Sequence, residues 1–211
     1  MARVQAKICG VSTPEAIDTA VAGGASHVGF VFFPKSPRNL DPDRLAALAA
    51  RLPDRVKAVG VFVNPDDALL ARTVPHLSAI QLHGSEAPER AAAIRARFDR
   101  EVWKAVSVRT RADLDAARAF TGAADRIVYD ARTPEGTLPG GMGLRFDWRL
   151  LEGFAHPLPW ALSGGLDADN VVEAVGITGA RLVDVSSGVE GAPGVKDVTK
   201  ITAFLKAISI L

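Results

Sequence analysis

The feature that most constrains the fold is a repeat in which a short apolar run alternates with an amphipathic segment. The eight runs begin 22 to 33 residues apart, and the longest spacing separates the sixth run from the seventh. The runs are rich in β-branched residues and bounded by Gly, Pro, Asn or Asp, which is typical of strands. They cover residues 4–9, 27–32, 56–63, 79–82, 102–108, 127–129, 160–162 and 182–185.

The segments between the runs carry apolar residues at helical spacing. They predict helices that begin near Pro14 and Pro42, helices over 65–74, 87–98, 110–120, 168–175 and 198–208, and a short turn at 147–151. Strict alternation predicts parallel strands with right-handed crossovers. We therefore expect a single (β/α)₈ TIM barrel domain over residues 1–211, near the lower size limit of that fold. The alternative is an open doubly wound sheet, although no Gly-x-Gly-x-x-Gly follows the first strand.

Composition narrows the classes of function. The chain has 48% hydrophobic and 23% charged residues with a formal net charge of +1, so no global field indicates nucleic acid or an anionic membrane as a partner. The single cysteine excludes an internal disulfide and a metal site built from cysteines. No secretory h-region or long uncharged apolar stretch is present. We expect a cytoplasmic, soluble protein.

Polar residues stand at the ends of the predicted strands, where a barrel of this kind forms its active site. Because strand side chains alternate between faces, Lys7 shares a face with Cys9, Gln81 with His83, and Ser186 with Asp184. No pattern of His, Asp and Glu indicates a metal site. The candidates at strand ends are Cys9, residues 33–38 including Arg38, Asn64, His83, Ser107, Asp130, Ser163 and Asp184.

Two loops give the clearest binding signal. Ser163-Gly164-Gly165-Leu166 follows the seventh strand, and Ser186-Ser187-Gly188-Val189-Glu190 follows the eighth. Glycines let backbone N–H groups approach an anion, and a helix N-terminus adds a favourable dipole. Because these loops are the usual phosphate site of the barrel, they predict phosphate binding, with tight turns that bind nothing as the alternative.

Cys9 and Asp130 could act together, because they end strands on opposing walls of the predicted barrel. A thiolate and a carboxylic acid placed in this way can serve as base and acid on one bound molecule. Cys9 would then have to lose its proton more readily than a free thiol, whose pKa is about 8.5, and Lys7 is a means of lowering that pKa. The alternatives are an inert thiol and a helix-capping Asp130. Arg38 could bind a carboxylate or be a solvated surface residue, and His83 could simply line the mouth.

The long spacing before the seventh strand comes from residues 131–145, which are rich in Gly and Pro. A loop of this length is either decoration or an active-site lid. Because it follows a strand, it lies on the catalytic face, which favours the lid.

Taken together, the motifs resemble those of the phosphoribosylanthranilate isomerase family. The resemblance runs from residue 4 to about 205 and implies a cofactor-free Amadori rearrangement of N-(5′-phosphoribosyl)anthranilate in tryptophan biosynthesis. The matching stretches are Lys7-Ile8-Cys9-Gly10, Gly29-Phe30-Val31-Phe32, Ser36-Pro37-Arg38, Val61-Phe62-Val63, Gln81-Leu82-His83-Gly84, Asp130-Ala131, Gly140-Gly141-Met142-Gly143, Phe146-Asp147-Trp148, Ser163-Gly164-Gly165-Leu166, Asp184-Val185-Ser186-Ser187-Gly188-Val189-Glu190 and Gly194-Val195-Lys196-Asp197.

The resemblance also implies roles for individual residues. Asp130 would be the general acid that protonates the furanose ring oxygen, and Cys9 the general base that removes the C2′ proton. Arg38 would bind the anthranilate carboxylate. The other residues expected to contact or support the substrate are Lys7, His83 and Asp184, with backbone groups of Gly164, Gly165, Ser187 and Gly188 on the phosphate.

Two departures and two rival functions accompany the resemblance. Met142 stands where the family pattern more often has Thr, and Ser163 where it more often has Ala. One rival is a bifunctional isomerase of histidine and tryptophan biosynthesis, which typically uses two aspartates and binds two phosphates. The other is a barrel that binds a phosphosugar without catalysis. The sequence is compatible with a monomer or a homodimer.

Overall fold

Eight parallel strands form a closed barrel in the computed structural model, which describes residues 3–134 and 140–211. The strands follow one another round the ring in chain order, and β1 closes it by pairing with β8. The predicted TIM barrel is confirmed, and the predicted strand ends differ from the observed ones by no more than two residues. The strands are β1 (Gln5–Cys9), β2 (His27–Phe32), β3 (Lys57–Phe62), β4 (Ala79–Leu82), β5 (Glu101–Val108), β6 (Arg126–Ala131), β7 (Trp160–Leu162) and β8 (Leu182–Val185).

Helical segments connect the strands. The α-helices are α1 (Pro14–Ala22), α2 (Pro42–Ala49), α3 (Asp67–Thr73), α4 (Pro88–Phe98), α5 (Val171–Thr178) and α6 (Val198–Ile208). The predicted helix at 110–120 is instead a 3₁₀ segment, Arg111–Phe120, and further 3₁₀ segments cover Val74–His76, Trp148–Leu151 and Ser187–Val189.

The helix predicted at 168–175 begins three residues later, as α5. Side chains hold the preceding residues in a turn: the Asp167 carboxylate accepts the N–H groups of Asp169 and Asn170, and the Asn170 amide oxygen accepts the N–H of Asp167. Such local side-chain bonds compete with helix formation, which explains the shifted start.

Apolar side chains fill the barrel below the strand ends. Six strands contribute to a cluster that includes Val59, Trp103 and Val128 and is separate from the larger cluster between strands and helices. Nearer the carboxyl ends, Cys9 packs with Val31 and Val61. A packed interior of this kind leaves the carboxyl ends of the strands as the place for a binding site.

A short antiparallel hairpin after β8 was not predicted. It is formed by β9 (Glu190–Ala192) and β10 (Val195–Lys196), which are joined through Pro193 and Gly194. The hairpin returns the chain toward the barrel mouth, and it buries the charged side chains of Glu190 and Lys196 there.

The longest α-helices, α4 and α6, have 11 residues each, whereas a membrane-spanning helix needs about 20. In the part of the chain that the structure describes, no helix could cross a membrane. The cytoplasmic location stays a prediction. The role of residues 131–145 as a lid also stays a prediction, because residues 135–139 of this segment lie outside the described residues.

Candidate active site

A cavity of about 540 Å³ opens at the carboxyl ends of the strands. An adjoining cavity of about 330 Å³ lies against the loops after β7 and β8. Asp130, Ser163 and Asp184 line both of them, so the two form one continuous site. The predicted residues in the larger part are Cys9, Arg38, His83, Asp130 and Asp184, and those in the smaller part include Gly164, Gly165 and Ser187.

Lys7 is fully buried, and it is bonded to Asp184 rather than exposed to the cavity. Its Nζ donates to both carboxylate oxygens, at 3.0 and 2.9 Å. The two residues are register partners across the β1–β8 seam that closes the barrel. The structure thus places Lys7 beneath the site, next to Asp184 and Cys9, and not among the residues that line the cavity, so the expected direct contact with a substrate is not available to it.

Gly29 on β2 makes room for this arrangement. It is the register partner of Cys9, and a Cβ at Gly29 would lie 2.8 Å from the Cys9 sulfur and 3.1 Å from Cε of Lys7. Any larger residue would displace the thiol or the lysine, so the glycine of β2 sets the position of the candidate base.

The electrostatic setting of Cys9 differs from the prediction. Burial raises the pKa of the Cys9 thiol above its ordinary value; the Lys7 ammonium opposes this effect, and the Asp184 carboxylate adds to it. The expectation of a lowered pKa is therefore wrong for this structure, because it counted Lys7 but neither the burial nor Asp184. Burial lowers the pKa of Lys7, but Asp184 and Cys9 outweigh burial and raise it, so Lys7 remains an ammonium.

Asp130 is held by two hydrogen bonds at the end of β6. One carboxylate oxygen, Oδ1, accepts the N–H of Ala131 at 2.9 Å, and Oδ2 lies 3.1 Å from Nε2 of His83. The other ring nitrogen of His83, Nδ1, lies 3.1 Å from the Gln81 amide nitrogen. A chain of three side chains therefore leads from β4 to the candidate acid.

Arg38 is buried, which excludes the solvated-surface alternative. Its Nε and Nη2 bind the Glu190 carboxylate, both at 2.7 Å, and Nη2 also donates to the carbonyl of Gly141 at 2.9 Å. Nη1 of Arg38 has no hydrogen-bond partner among the described residues. Because Arg38 lines the cavity, this nitrogen is a donor left for a ligand.

Lys196 adds a second cation to Glu190, with Nζ 2.7 Å from Oε1. Burial raises the pKa of Glu190, but its bonds to Arg38 and Lys196 outweigh burial and lower it. Burial lowers the pKa of Lys196, and the opposing effect of Glu190, which raises it, is smaller. The two cations and one carboxylate leave a net positive charge beside the cavity, which suits an anionic ligand. Sequence reasoning missed Glu190 and Lys196 as site residues, because only the hairpin brings them together.

The phosphate-binding prediction concerns the loops after β7 and β8. The backbone N–H groups of Gly164, Gly165, Ser187 and Gly188 donate no hydrogen bond within the described part of the chain. Gly188 does not line the cavity. A Cβ on it would lie 1.9 Å from the Leu166 carbonyl oxygen, so it serves close contact between the two loops.

Comparison with known proteins shows to which family the chain belongs. The family model described as N-(5′-phosphoribosyl)anthranilate isomerase matches residues 6–207. The chain belongs to the phosphoribosylanthranilate isomerase family. It is 57% identical over 210 residues to the N-(5′-phosphoribosyl)anthranilate isomerase of Zymomonas mobilis subsp. pomaceae, with 99% of each chain covered. It is 53% identical over 213 residues to the enzyme of Rhodospirillum centenum, again with 99% of each covered.

Solved structures of phosphoribosylanthranilate isomerases share the fold. The enzyme of Thermotoga maritima superposes with a TM-score of 0.88 at 37% identity, covering 99% of this chain and 100% of that one. A second structure, with a TM-score of 0.86, 36% identity and the same coverage, is in complex with reduced 1-(o-carboxyphenylamino)-1-deoxyribulose 5-phosphate.

The two positions that depart from the isomerase family pattern have different surroundings. Ser163 lines both parts of the cavity, where its hydroxyl is available to a ligand. Met142 is 46% exposed and lines the smaller part. Among the described residues, neither side chain forms a hydrogen bond with Cys9 or Asp130.

Proposed function

We propose that this chain isomerises N-(5′-phosphoribosyl)anthranilate to 1-(2-carboxyphenylamino)-1-deoxyribulose 5-phosphate, with Asp130 as general acid and Cys9 as general base. One observation carries the proposal: both groups line a cavity that continues into two loops with unpaired backbone N–H groups. A phosphorylated substrate anchored at those loops would extend across the mouth between acid and base.

The reaction then needs only proton transfers. Asp130 donates a proton to the furanose ring oxygen, the bond from that oxygen to C1′ breaks, and the nitrogen lone pair forms a protonated Schiff base. The Cys9 thiolate removes the C2′ proton, and the electrons of that bond form an enolamine and return the lone pair to nitrogen. The enolamine then takes a proton from water at C1′ and gives its C2′ hydroxyl proton to water, which forms the ketone. The Cys9 thiol loses one proton and the Asp130 carboxylate gains one through the solvent, so both groups return to their starting states. No atom is gained or lost, which is why the proposal involves no cofactor.

The state of the thiol sets the pH dependence. Because burial raises the pKa of Cys9, the thiolate is a minor form at neutral pH, and the ammonium groups of Lys7 and Lys196 are the nearby charges that favour it. Rising pH supplies more of this base, so kcat/KM should increase as the pH is raised above neutrality.

The anionic ends of the substrate have matching partners. The anthranilate carboxylate fits Nη1 of Arg38, which is unpaired among the described residues, while Glu190 holds the rest of the guanidinium in place. The phosphate fits the N–H groups of Gly164, Gly165 and Ser187, with Gly188 keeping the loops together. His83 orients Asp130, and Asp184 orients Lys7.

The rival function, a bifunctional isomerase, requires a second phosphate site. The contacts on the opposite side of the barrel argue against such a site. There, after β3 and β4, the backbone N–H groups of Asn64 and Gly84 already donate to the Glu86 carboxylate. Lys104 donates to the same carboxylate at 2.9 Å. An internal anion thus occupies the place that a second phosphate would need.

A turnover assay on the purified chain tests the proposal. Phosphoribosylanthranilate is generated in place, and its fluorescence is followed. Cys9→Ala and Asp130→Asn should each lower kcat by about 10²- to 10⁴-fold, the range for general acid–base groups. Asp54→Asn, the same change at an exposed aspartate before β3, should leave turnover unchanged.

Binding is measured in the same variants with the reduced ribulose phosphate product. Retained binding with lost turnover supports the catalytic roles. If the wild-type chain binds this ligand but shows no turnover at any pH, the non-catalytic binding barrel is the better account.

A further inference from the structure

Gln81 on β4 is a buried polar residue without a role in the proposed chemistry. It is 1% exposed and lines the same cavity as Cys9 and Asp130. Its amide nitrogen lies 3.1 Å from Nδ1 of His83, and its Oε1 has no hydrogen-bond partner within residues 3–134 and 140–211. The amide nitrogen of Gln81 is thus paired with His83, and the amide oxygen is unpaired.

This hydrogen bond determines which nitrogen of His83 carries the proton. An amide nitrogen only donates, so Nδ1 must accept and therefore has no hydrogen of its own. A neutral imidazole then carries its hydrogen on Nε2, the atom that lies 3.1 Å from Oδ2 of Asp130. A doubly protonated His83 would place two N–H groups against each other at Nδ1.

We propose that Gln81 is a positioning residue that holds His83 as the neutral Nε2–H tautomer beside Asp130. The inference rests on the proposed role of Asp130 as the general acid. A neutral His83 orients the carboxyl group without adding a positive charge. An imidazolium would instead hold Asp130 as a carboxylate, which has no proton to give.

The other charged or titratable groups that line this cavity do not compensate for Gln81. They are Cys9 on β1, Arg38 after β2 and Asp184 on β8, and within the described residues none of them bonds to His83. Gln81 and Asp130 are therefore the two side chains that bond to the ring among the described residues, and Gln81 is the one that acts at Nδ1.

Stability and turnover should separate at this position. A buried amide with an unpaired oxygen costs stability, so Gln81→Met should fold with an unchanged or higher unfolding midpoint. Its kcat should fall by about tenfold, the factor carried by one ordinary hydrogen bond, with little change in KM. Gln5→Met, the same replacement at an exposed residue at the start of β1, should change neither quantity. A purely structural Gln81 would give the opposite result, a lowered midpoint with normal kcat.

Nitrogen-15 NMR of the histidine rings tests the tautomer directly and needs no turnover. The chain has four histidines, and His83→Asn assigns the signal. At pH 7 we expect Nε2 protonated and Nδ1 unprotonated in the wild type. Gln81→Glu should protonate both nitrogens, because a carboxylate accepts from Nδ1–H, and should lower kcat further than Gln81→Met.

A hydrogen on Nδ1 in the wild type would overturn the inference, because the amide would then present its oxygen to the ring. The inference would also be overturned if Gln81→Glu left the protonation of the His83 ring unchanged. Failure of the proposed function would be seen separately. In that case Asp130→Asn would keep its turnover, while the NMR spectrum of the wild type would still show the hydrogen on Nε2 of His83.

Discussion

Replacing Lys7 by Met tests how much the buried charge pair beneath the site contributes to folding. Lys7 is 0% and Asp184 5% exposed, and the ammonium donates to both carboxylate oxygens. Removal of the ammonium leaves a buried carboxylate without its counter-charge, which costs about 3–5 kcal/mol. Because domains of ordinary stability have about 5–15 kcal/mol in total, the variant should lose a large share of its unfolding free energy.

The matched control is Arg72→Met, which breaks a shorter ion pair at the surface. Arg72 and Asp43 are 2.7 Å apart, but their side chains are 57% and 80% exposed. Exposed pairs contribute about 0.2–1 kcal/mol, so the control should hardly change stability. Burial and not distance therefore decides the difference between the two variants.

Equilibrium unfolding in urea measures both free energies, provided that the dependence on denaturant keeps the same slope. The double variant Lys7→Met with Asp184→Leu should recover much of the loss, because an apolar pair needs no counter-charge. Equal small losses for Lys7→Met and Arg72→Met would refute the reasoning. So would a double variant less stable than Lys7→Met alone.

Two further predictions follow from particular contacts. Burial is the main cause that lowers the pKa of His27 to about 3, so below pH 6.5 the unfolded chain binds a proton that the folded chain does not. The unfolding free energy should therefore fall by about 2 kcal/mol between pH 7 and pH 5, and urea unfolding of His27→Asn should show a smaller fall; an equal fall would contradict the assignment. Gly188→Ala forces a Cβ against the Leu166 carbonyl oxygen and should raise the KM for the phosphorylated substrate. The control Gly176→Ala places its Cβ in open space in α5, and it should stabilise the chain by about 0.5–1 kcal/mol. An unchanged KM in steady-state kinetics of Gly188→Ala would count against the phosphate site.

The strands and the strand-end residues were predictable because a buried parallel strand needs a continuous apolar run, and the run ends where the site begins. Cys9, His83 and Asp130 were found in this way. The bond between Lys7 and Asp184 was not, because it joins residues 177 positions apart across the seam that closes the barrel. Only the register of β1 against β8 reveals it.

The same limit explains the error at Cys9 and the omission at Arg38. The sequence shows that Lys7 is near Cys9, but the burial and the Asp184 carboxylate that raise the thiol pKa are properties of the folded barrel. Glu190 binds Arg38 from 152 positions away, through a hairpin whose second strand has only two residues. Strands that short give no periodicity to detect.

Assigning Asp130 to ring opening and Cys9 to removal of the C2′ proton is the central claim, and a single-turnover isotope effect tests it most directly. The substrate is labelled with deuterium at C2′ and mixed rapidly with excess enzyme. In Cys9→Ser the hydroxyl gives up its proton far less readily than the thiol, so very little base is present, proton removal limits the rate, and the isotope effect should be at least as large as in the wild type. In Asp130→Asn ring opening limits the rate and the effect should vanish. An isotope effect that persists in Asp130→Asn and disappears in Cys9→Ser would contradict the account, because the two residues would then have exchanged roles.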